Sequence, residues 1–342
     1  MREIVVFMLL TGAGYIAGQS SDFNPVEAGA FEHFAALALV LGLYSSVSSI
    51  DLLAVRAHRW LAVTVITLAV PLQILATGAL MYLIYPEPIS FLAAVAITQI
   101  DPLSVDTLLK DKASMSEQAK GILRIWASFD DPVTVIFGFL VLLPLVSDNA
   151  GEVTPALMLL GLIANLGPGA LLWWISVKTR LLHRANFRLV ILAALLIFSL
   201  VTRAYLLAAI VGLLLRPTSP KTLNRVVEAF YYVIVFVVGM AISSYGLDLR
   251  LGFLLAVTEF FVIQPVTTII VFSGTPADLL RIAFAQQNGL TTLLMGLAFE
   301  ALDVHVLPIL LPAIIAVNLM NLAVNKIYSY KERAGLIKER AG

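Results

Sequence analysis

Cysteine is missing from this sequence of 342 residues, and charged residues are scarce. The absence of cysteine excludes disulfide bonds, thiolate chemistry and metal sites with cysteine ligands, although it says little about the redox compartment. Aspartate, glutamate, lysine and arginine make up only 13% of the residues, whereas 60% are hydrophobic. Together with a mean hydropathy of +0.95, this composition indicates a polytopic integral membrane protein.

Long apolar segments occur throughout the sequence and predict twelve membrane spans. The segments lie near residues 4–18, 31–49, 60–85, 89–109, 118–146, 153–176, 187–201, 204–215, 226–245, 251–273, 279–300 and 306–325. No small-residue cleavage site follows Met1, so we expect the first span to be retained. Gly14 and Gly18 in that span have a spacing that lets helices approach closely, and a dimer contact is one use for it.

The distribution of lysine and arginine predicts the orientation of the chain. With twelve spans, 20 of the 22 basic residues fall on one side, and only Arg203 and Arg250 fall on the other. Because basic residues concentrate in cytoplasmic loops, we expect both termini in the cytoplasm. We expect the protein to lie in the plasma membrane. Residues 1–342 read as one membrane transporter domain, and residues 326–342 are expected to form a short cytoplasmic tail.

The fourth and eleventh segments are each interrupted by polar residues. Thr98, Gln99, Asp101 and Pro102 interrupt the fourth segment, where the proline removes a backbone donor. The eleventh segment has a matching interruption at residues 285–292. Interrupted spans at corresponding places in two halves point to the substrate site of a transporter.

Spans three to five, residues 60–146, and spans ten to twelve, residues 251–325, therefore resemble two copies of one unit. Because each copy has three helices, an odd number, the two copies enter the membrane from opposite sides. We expect an all-α polytopic membrane protein of about 12 transmembrane helices. Its two inverted repeats would bring discontinuous helices 4 and 11 to cross at mid-membrane.

Asp130 and Asp131 are adjacent carboxylates near the middle of the fifth segment. One aspartate at the centre of a transmembrane helix costs about 2.5 to 3.5 kcal/mol, and two cost roughly twice that. Successive helical residues point about 100° apart, so both side chains can line one aqueous cavity but cannot share one ligand direction. Ordinary helix-end aspartates are the alternative, but the apolar sequence on both sides favours an ion or proton site.

These motifs resemble those of the cation/proton antiporter superfamily over nearly the whole chain. Residues 98–102 are similar to the Thr-Asp-Pro element on its discontinuous fourth helix. Residues 128–131 are similar to its acidic pair, in the Asp-Asp form associated with electrogenic sodium/proton exchangers. Residues 232–243 resemble its Phe-rich helix, which ends in Val-Gly-Met or Val-Gly-Leu.

The resemblance implies roles for individual residues and an assembly. Asp131 would be the main cation and proton ligand and Asp130 its neighbour, with Asp101, Thr98 and Ser128 beside them. The resemblance also implies a homodimer, in which a six-helix ion-carrying core moves against a dimerisation domain by an elevator-like motion.

Two positions depart from the family pattern. Relatives with the Asp-Asp pair carry a lysine on the tenth helix that pairs with the first aspartate, whereas here Gln264 precedes Pro265. The charged segment of many relatives is replaced by Gln287, Asn288 and Gly289. Without a fixed counter-charge, the aspartate pair is expected to hold one proton tightly. That predicts electroneutral, one-for-one exchange.

Further ionisable residues have two interpretations each. Glu259 on the tenth span and Glu228 at the start of the ninth either join a proton path or are ordinary helix-end carboxylates. Glu300, Asp303 and His305 are interpreted as a solvated loop, with an external proton sensor as the alternative. The other histidines show no metal-ligand spacing, so no cofactor is expected beyond the transported cation.

The leading hypothesis is a secondary antiporter that exchanges protons for a monovalent cation, most simply Na⁺, by alternating access at the aspartate pair. A sodium-coupled solute symporter of similar fold is the second hypothesis, although no fixed basic residue is available for an organic anion. An intramembrane aspartyl protease would need Asp101 and Asp131 to share a proton, and no Gly-x-Gly-Asp element is present. We therefore expect a transporter and not an enzyme. Its partners would be the lipid bilayer, Na⁺, Li⁺ or K⁺ and H⁺, without nucleic acid.

Overall fold

The structure is a computed structural model that describes residues 2–21, 24–50, 55–56, 58–101, 105, 115–146, 155–178, 185–217 and 219–333. Within these ranges the chain forms helices joined by short turns, without a β-strand. The helices are α1 (Arg2–Ser20), α2 (Phe31–Ser48), α3 (Arg59–Ile84), α4 (Ile89–Ile97), α5 (Glu117–Val146), α6 (Pro155–Lys178), α7 (Ala185–Thr202), α8 (Tyr205–Leu214), α9 (Pro220–Tyr245), α10 (Leu249–Val271), α11 (Pro276–Ala283), α12 (Leu290–Glu300) and α13 (Leu307–Arg333).

The prediction of an all-helical, polytopic membrane protein is confirmed. Seven of the described helices are long and apolar enough to cross a membrane, and shorter apolar helices accompany them. Ten of the predicted spans each coincide with one helix, whereas the eleventh is divided into α11 and α12. The fourth is helical only over Ile89–Ile97, and most of its second half lies outside the described residues. Twelve crossings remain a prediction. The last helix continues to Arg333, so the predicted tail begins as helix, and residues 334–342 lie outside the described residues.

Three of the long helices contain a π-helical segment. The segments are Val65–Ala69 in α3, Ile136–Leu142 in α5 and Thr258–Ile263 in α10. In α3 and α10 the segment is followed by Pro71 and Pro265, which cannot donate a backbone hydrogen bond. A π segment shifts the hydrogen-bond register of a helix locally, and such segments are frequent at functional sites. The same distortion therefore recurs in both predicted repeat units.

The helices pack as two groups. In one group α1 packs along α9, and α2, α6 and α7 pack around α8. In the other group α3 packs against α4, α5 and α10, and α10 packs against α11 and α13. The α2 helix of the first group also contacts α5 and α12 of the second. The second group thus contains helices from both predicted repeat units, and α2 is one of the helices that contact it from the first group.

Contacts between helix ends join segments that the charge pattern predicts on the same side. Arg203 pairs with Glu32, and His305 stacks on Tyr245, at ends predicted to be outside. At the opposite ends, the backbone N–H of Ser116 donates to Oδ1 of Asp278 at 3.1 Å. These contacts agree with the predicted alternation of loops.

The close approach of α1 to α9 explains the spacing of Gly14 and Gly18. A Cβ atom on Gly14 would overlap the carbonyl of Phe236, and one on Gly18 would overlap Ser243. Gly239 of α9 meets the backbone of α1 in the same way. The dimer contact considered for these glycines is therefore wrong, because both pack within one chain.

Replacing Gly14 with leucine should push α1 away from α9 and destabilise the protein. Overpacking of a tight contact costs about 1–3 kcal/mol. Gly12→Leu is the matched control, because a Cβ at Gly12 has no atom within 4 Å. Thermal unfolding in detergent should show a lower midpoint for Gly14→Leu alone, and equal losses in both variants would contradict the packing argument.

Candidate functional site

The two aspartates of α5 are completely buried and bind different parts of the protein. Both side chains are 0% exposed. Oδ2 of Asp130 accepts a hydrogen bond of 2.6 Å from the backbone N–H of Ile100, in the break that follows α4. Oδ2 of Asp131 accepts one of 2.5 Å from the hydroxyl of Ser46 on α2. The pair therefore connects one broken helix with a helix of the other packing group.

The two breaks bind each other directly. The amide of Asn288 donates to the carbonyls of Ile97 and Gln99 at 2.7 and 2.9 Å, and the amide of Gln286 donates to Ile97 at 2.7 Å. The backbone N–H of Asp101 donates to the carbonyl of Gln287 at 2.9 Å. Carbonyls at a helix end have no partner within the helix. Side-chain amides of the second break satisfy them here.

Asp101 lies beside Gly289, at the N-terminus of α12. A Cβ atom on Gly289 would be 2.6 Å from Cγ of Asp101, so a larger residue has no room there. A helix N-terminus carries partial positive charge and favours a carboxylate. Asp101 is also near enough to Asp131 to interact with it electrostatically. Pro102, predicted to end the hydrogen-bond ladder of the fourth span, lies outside the described residues.

Two threonines lie beside the aspartates without binding their carboxylates. The Thr98 hydroxyl is buried and donates to the carbonyl of Val95 in its own helix at 3.3 Å. The hydroxyl of Thr134 accepts from the amide of Gln99 at 2.7 Å and donates to the carbonyl of Asp131 at 2.9 Å. Thr134 thus holds the backbone of α5 against the first break.

Two of the predicted site residues have structural contacts instead. The Ser128 hydroxyl donates to the carbonyl of Arg124 at 2.6 Å, one turn back in α5, and none of its described contacts is to an aspartate. The Gln287 amide donates to Asn321 of α13 at 2.6 Å. A helical serine can always bond its own backbone in this way, so the motif did not reveal which hydroxyl approaches the carboxylates.

Ser46 and Thr291 have hydroxyl groups near the Asp131 carboxylate. The sequence analysis did not single out Ser46, and it included Thr291 only as part of the interruption at residues 285–292. The Thr291 hydroxyl is close to Asp131 but outside hydrogen-bond geometry, and among the described residues neither Thr291 Oγ1 nor Asp131 Oδ1 has a partner. Ser46 belongs to a run of serines at the end of α2, at residues 45–49. That polar run at the end of an apolar helix is the signal that could have found it.

A second buried polar cluster joins α3 to α10. Gln73 donates to Oε1 of Glu259 at 2.9 Å, and the hydroxyl of Thr77 donates to Oε2. Gln73 also contacts the amide oxygen of Gln264. The side chains of all four residues in this cluster are 0% exposed. Gln264, at the position where relatives have a lysine for the first aspartate, is thus bonded to Gln73 and not to Asp130.

No lysine, arginine or histidine among the described residues forms an ion pair with Asp130, Asp131 or Glu259. Arg281, which the charge pattern assigns to the cytoplasmic surface, is only 6% exposed. It lies in α11, near Tyr328. Several buried oxygens around the breaks have no hydrogen-bond partner among the described residues, namely Oδ1 of Asp130 and of Asp131, the amide oxygens of Gln99, Gln286 and Asn288, and the hydroxyl of Thr291. Carboxylate, amide and hydroxyl oxygens are the ligands of hard cations. The site can therefore take a cation or protons.

The interpretation of Glu300, Asp303 and His305 as a solvated loop is wrong for Glu300. Its side chain is 0% exposed. One oxygen accepts from the backbone N–H of Leu307 at 2.7 Å, and the other lies 2.9 Å from Nδ1 of His305. Glu300 therefore caps the start of α13, a role that becomes visible only once the turn between α12 and α13 is built.

Comparisons with known proteins identify a family from the sequence and a similar fold among solved structures. Residues 3–277 match the family described as sodium/hydrogen exchanger, transmembrane. A structure of the sodium proton antiporter MjNhaP1 from Methanocaldococcus jannaschii at pH 8 aligns with a TM-score of 0.69 and 15% identity, covering 93% of this chain and 91% of that one. An electron-microscopy structure of the same antiporter aligns with a TM-score of 0.59 and 15% identity, covering 90% and 84%. No curated protein sequence matches the chain.

Replacing Ser46 with alanine should weaken cation binding most at low pH. The hydroxyl donates to the ionised form of Asp131, so its loss favours the protonated form. A hydrogen bond to a charged group contributes about 1.5–3 kcal/mol, and one pH unit corresponds to about 1.36 kcal/mol. The pH dependence of cation binding, measured by calorimetry, should therefore move about one to two units towards alkaline. Ser49→Ala is the control, since the described hydrogen bonds of Ser49 are to the backbone of Ser46. An unshifted pH profile in Ser46→Ala would show that the hydrogen bond from Ser46 to Asp131 does not affect cation binding.

Proposed function

Because the chain belongs to the sodium/hydrogen exchanger family, we propose that it exchanges protons for Na⁺ at Asp131 and Asp130. The family and the fold are those of a cation/proton antiporter embedded in a membrane. The observation that carries the proposal is the pair of fully buried aspartates beside two broken helices, without an ion pair in the described part of the chain.

Asp131 is the primary ligand in this proposal. Among the described residues, neither Oδ1 of Asp131 nor the nearby Thr291 hydroxyl has a hydrogen-bond partner, and Asp101 adds a second carboxyl group in electrostatic range. A cation can take the place of a proton here, because either one neutralises the buried carboxylate. We further propose that oxygens of Asp130, Asn288 and Gln99, which have no hydrogen-bond partner among the described residues, join this site when the cation binds. The same oxygens suit Li⁺ and K⁺, so Na⁺ is proposed from the family.

Alternating access would follow from the two packing groups. The units 60–146 and 251–325 form the ion-carrying core in this proposal, and α1, α2 and α6 to α9 form the part against which it moves. The hydrogen bond between Ser46 and Asp131 crosses from one group to the other. We also propose, from the likeness to the superfamily and from the charge pattern, a homodimer in the plasma membrane with both termini in the cytoplasm and no bound cofactor.

Asp131→Asn should abolish cation-dependent proton movement while leaving the fold intact. The amide keeps one oxygen and nearly the same volume but cannot carry a proton. In proteoliposomes containing a pH-sensitive dye, the variant should give no signal on addition of Na⁺, Li⁺ or K⁺. Asp303→Asn is the control, because Asp303 lies in the turn after α12. Near-normal exchange by Asp131→Asn would refute the assignment.

Exchange by the unmodified protein should be electroneutral. Because no described lysine, arginine or histidine forms an ion pair with the aspartates, the pair is expected to keep one proton while the other leaves for each cation. If two protons left instead, the membrane potential would contribute about 2.3 kcal/mol per 100 mV. Flux measured under potassium/valinomycin potentials should therefore be independent of voltage, and a clear voltage dependence would overturn one-for-one exchange.

A further inference from the structure

Three asparagines on α13 form a polar row that the exchange reaction described above does not use. Asn318, Asn321 and Asn325 are three and four positions apart, so they follow one face of the helix. The other residues from 307 to 325 are apolar. A side-chain amide placed among apolar residues is costly unless it has hydrogen-bond partners. The partners of these asparagines therefore indicate what they do.

Asn318 binds both backbone groups of Asn288. Its Nδ2 donates to the carbonyl of Asn288 at 2.8 Å, and its Oδ1 accepts from the N–H of Asn288 at 3.1 Å. Asn288 lies in the break between α11 and α12, where the backbone has no helical partner. Turning the Asn318 amide over would place oxygen against oxygen and nitrogen against nitrogen, so its orientation is determined. One side chain thus fixes the backbone of Asn288.

Asn321 holds the part of the same break that precedes Asn288. Its side chain is 0% exposed. The amide donates to the carbonyls of Phe284 and Gln286 at 2.9 and 3.0 Å. Its Oδ1 accepts from the amide of Gln287 at 2.6 Å. The asparagines of α13 therefore support the break over most of its length.

The position of Asn288 decides which of its side-chain atoms is left for a cation. Its Nδ2 lies 2.7 and 2.9 Å from the carbonyl oxygens of Ile97 and Gln99. Carbonyl oxygens only accept, so the NH₂ group must face them and Oδ1 must point away. That oxygen is buried and has no hydrogen-bond partner among the described residues. An amide oxygen held in this way is a suitable ligand for a hard cation.

The same contacts lead from α13 to the first aspartate. Asn318 binds Asn288, and the amide of Asn288 binds the carbonyl of Gln99. The next residue, Ile100, donates its N–H to Oδ2 of Asp130 at 2.6 Å. A displacement of Asn288 would therefore move the loop that contacts Asp130 as well as the free amide oxygen.

We propose that Asn318 is a positioning residue of the cation site, which acts through Asn288. The inference rests on the proposed function. Asn318 contacts no ion in this role. It holds the backbone of Asn288 so that the side chain joins the two breaks and presents Oδ1 to the cation. Residues that orient the ligands of a metal typically change its affinity by about 10–100-fold.

Asn318→Ala should raise the KM for Na⁺ by about 10–100-fold. The maximal rate should change much less, because the variant keeps both aspartates. Initial rates in proteoliposomes with a pH-sensitive dye give both quantities. The differences in KM among Na⁺, Li⁺ and K⁺ should also become smaller, because a displaced ligand no longer favours one ionic radius. An unchanged KM in folded Asn318→Ala would overturn the proposal.

Asn165→Ala is the matched control. Asn165 on α6 is also buried, at 4% exposed, and its Oδ1 accepts from the backbone N–H of Leu207 on α8 at 3.1 Å. Both helices belong to the other packing group. The variant should lower the midpoint of thermal unfolding and leave the KM for Na⁺ unchanged. An equal rise of the KM in this control would show general loosening and would count against a specific role for Asn318.

A double variant tests whether Asn318 acts through Asn288. In the background of Asn288→Ala, adding Asn318→Ala should raise the KM little further, because the oxygen that Asn318 positions is already absent. If the two increases multiply instead, the residues act independently and the proposal is wrong.

Asn318→Asp decides the question if Asn318→Ala does not fold, as judged by size-exclusion chromatography. A protonated carboxyl group has the shape of the amide and can make both hydrogen bonds to Asn288, whereas an ionised one cannot donate to the carbonyl. The KM of this variant, relative to wild-type protein at the same pH, should therefore rise as the pH is raised. A constant ratio would refute the role of Asn318.

The outcomes separate this role from the antiport function. Wild-type protein without cation-dependent proton movement would refute antiport itself. If wild-type protein exchanges ions and Asn318→Ala has the same KM, antiport stands and only the role of Asn318 is refuted.

Discussion

Within a membrane, backbone groups that leave a helix must find partners inside the protein, because hydrocarbon offers none. The two breaks beside Asp130 and Asp131 meet this requirement through each other. Asn288 and Gln286 satisfy carbonyls at the end of α4, and Ile100 gives its N–H to Asp130. Because the amides do this without charge, the remaining oxygens of the site are left for a cation or a proton.

Among the described residues, no lysine, arginine or histidine pairs with the buried carboxylates, and this shapes the electrostatics of the centre. Relatives with an Asp-Asp pair offset the first aspartate with a lysine, whereas here Gln264 takes part in a hydrogen-bonded cluster with Gln73 and Glu259. Neutral donors can stabilise a buried carboxylate only partly. Protons and the transported cation must therefore supply the compensation themselves, which ties the charge state of the protein to its cargo.

The sequence predicted the features that follow from composition and local chemistry. Apolar length located the helices, prolines and polar residues located the breaks, and the cost of burying charge singled out Asp130 and Asp131. Features that depend on which surfaces meet were missed. Ser46 comes from a helix 85 residues away from Asp131, and Gly14 contacts a helix of the same chain, more than 200 positions further on. No local sequence pattern predicts contacts between residues so far apart in the chain. Ser128 shows the converse, because the motif assigned its hydroxyl to the site, whereas in the structure that hydroxyl donates to a backbone carbonyl of its own helix.

The π segment of α10 changes how the faces of that helix must be counted. Glu259 and Gln264 are five residues apart, which in a uniform α-helix would separate their directions by about 140°. In the structure both contact the same amide of Gln73, while Phe261 and Val262 between them are exposed on the outer face. A helical wheel drawn at one period along α10 therefore assigns these two polar residues to different sides. The π segment adds one residue to the helical repeat, and this brings Glu259 and Gln264 to the same side of the helix.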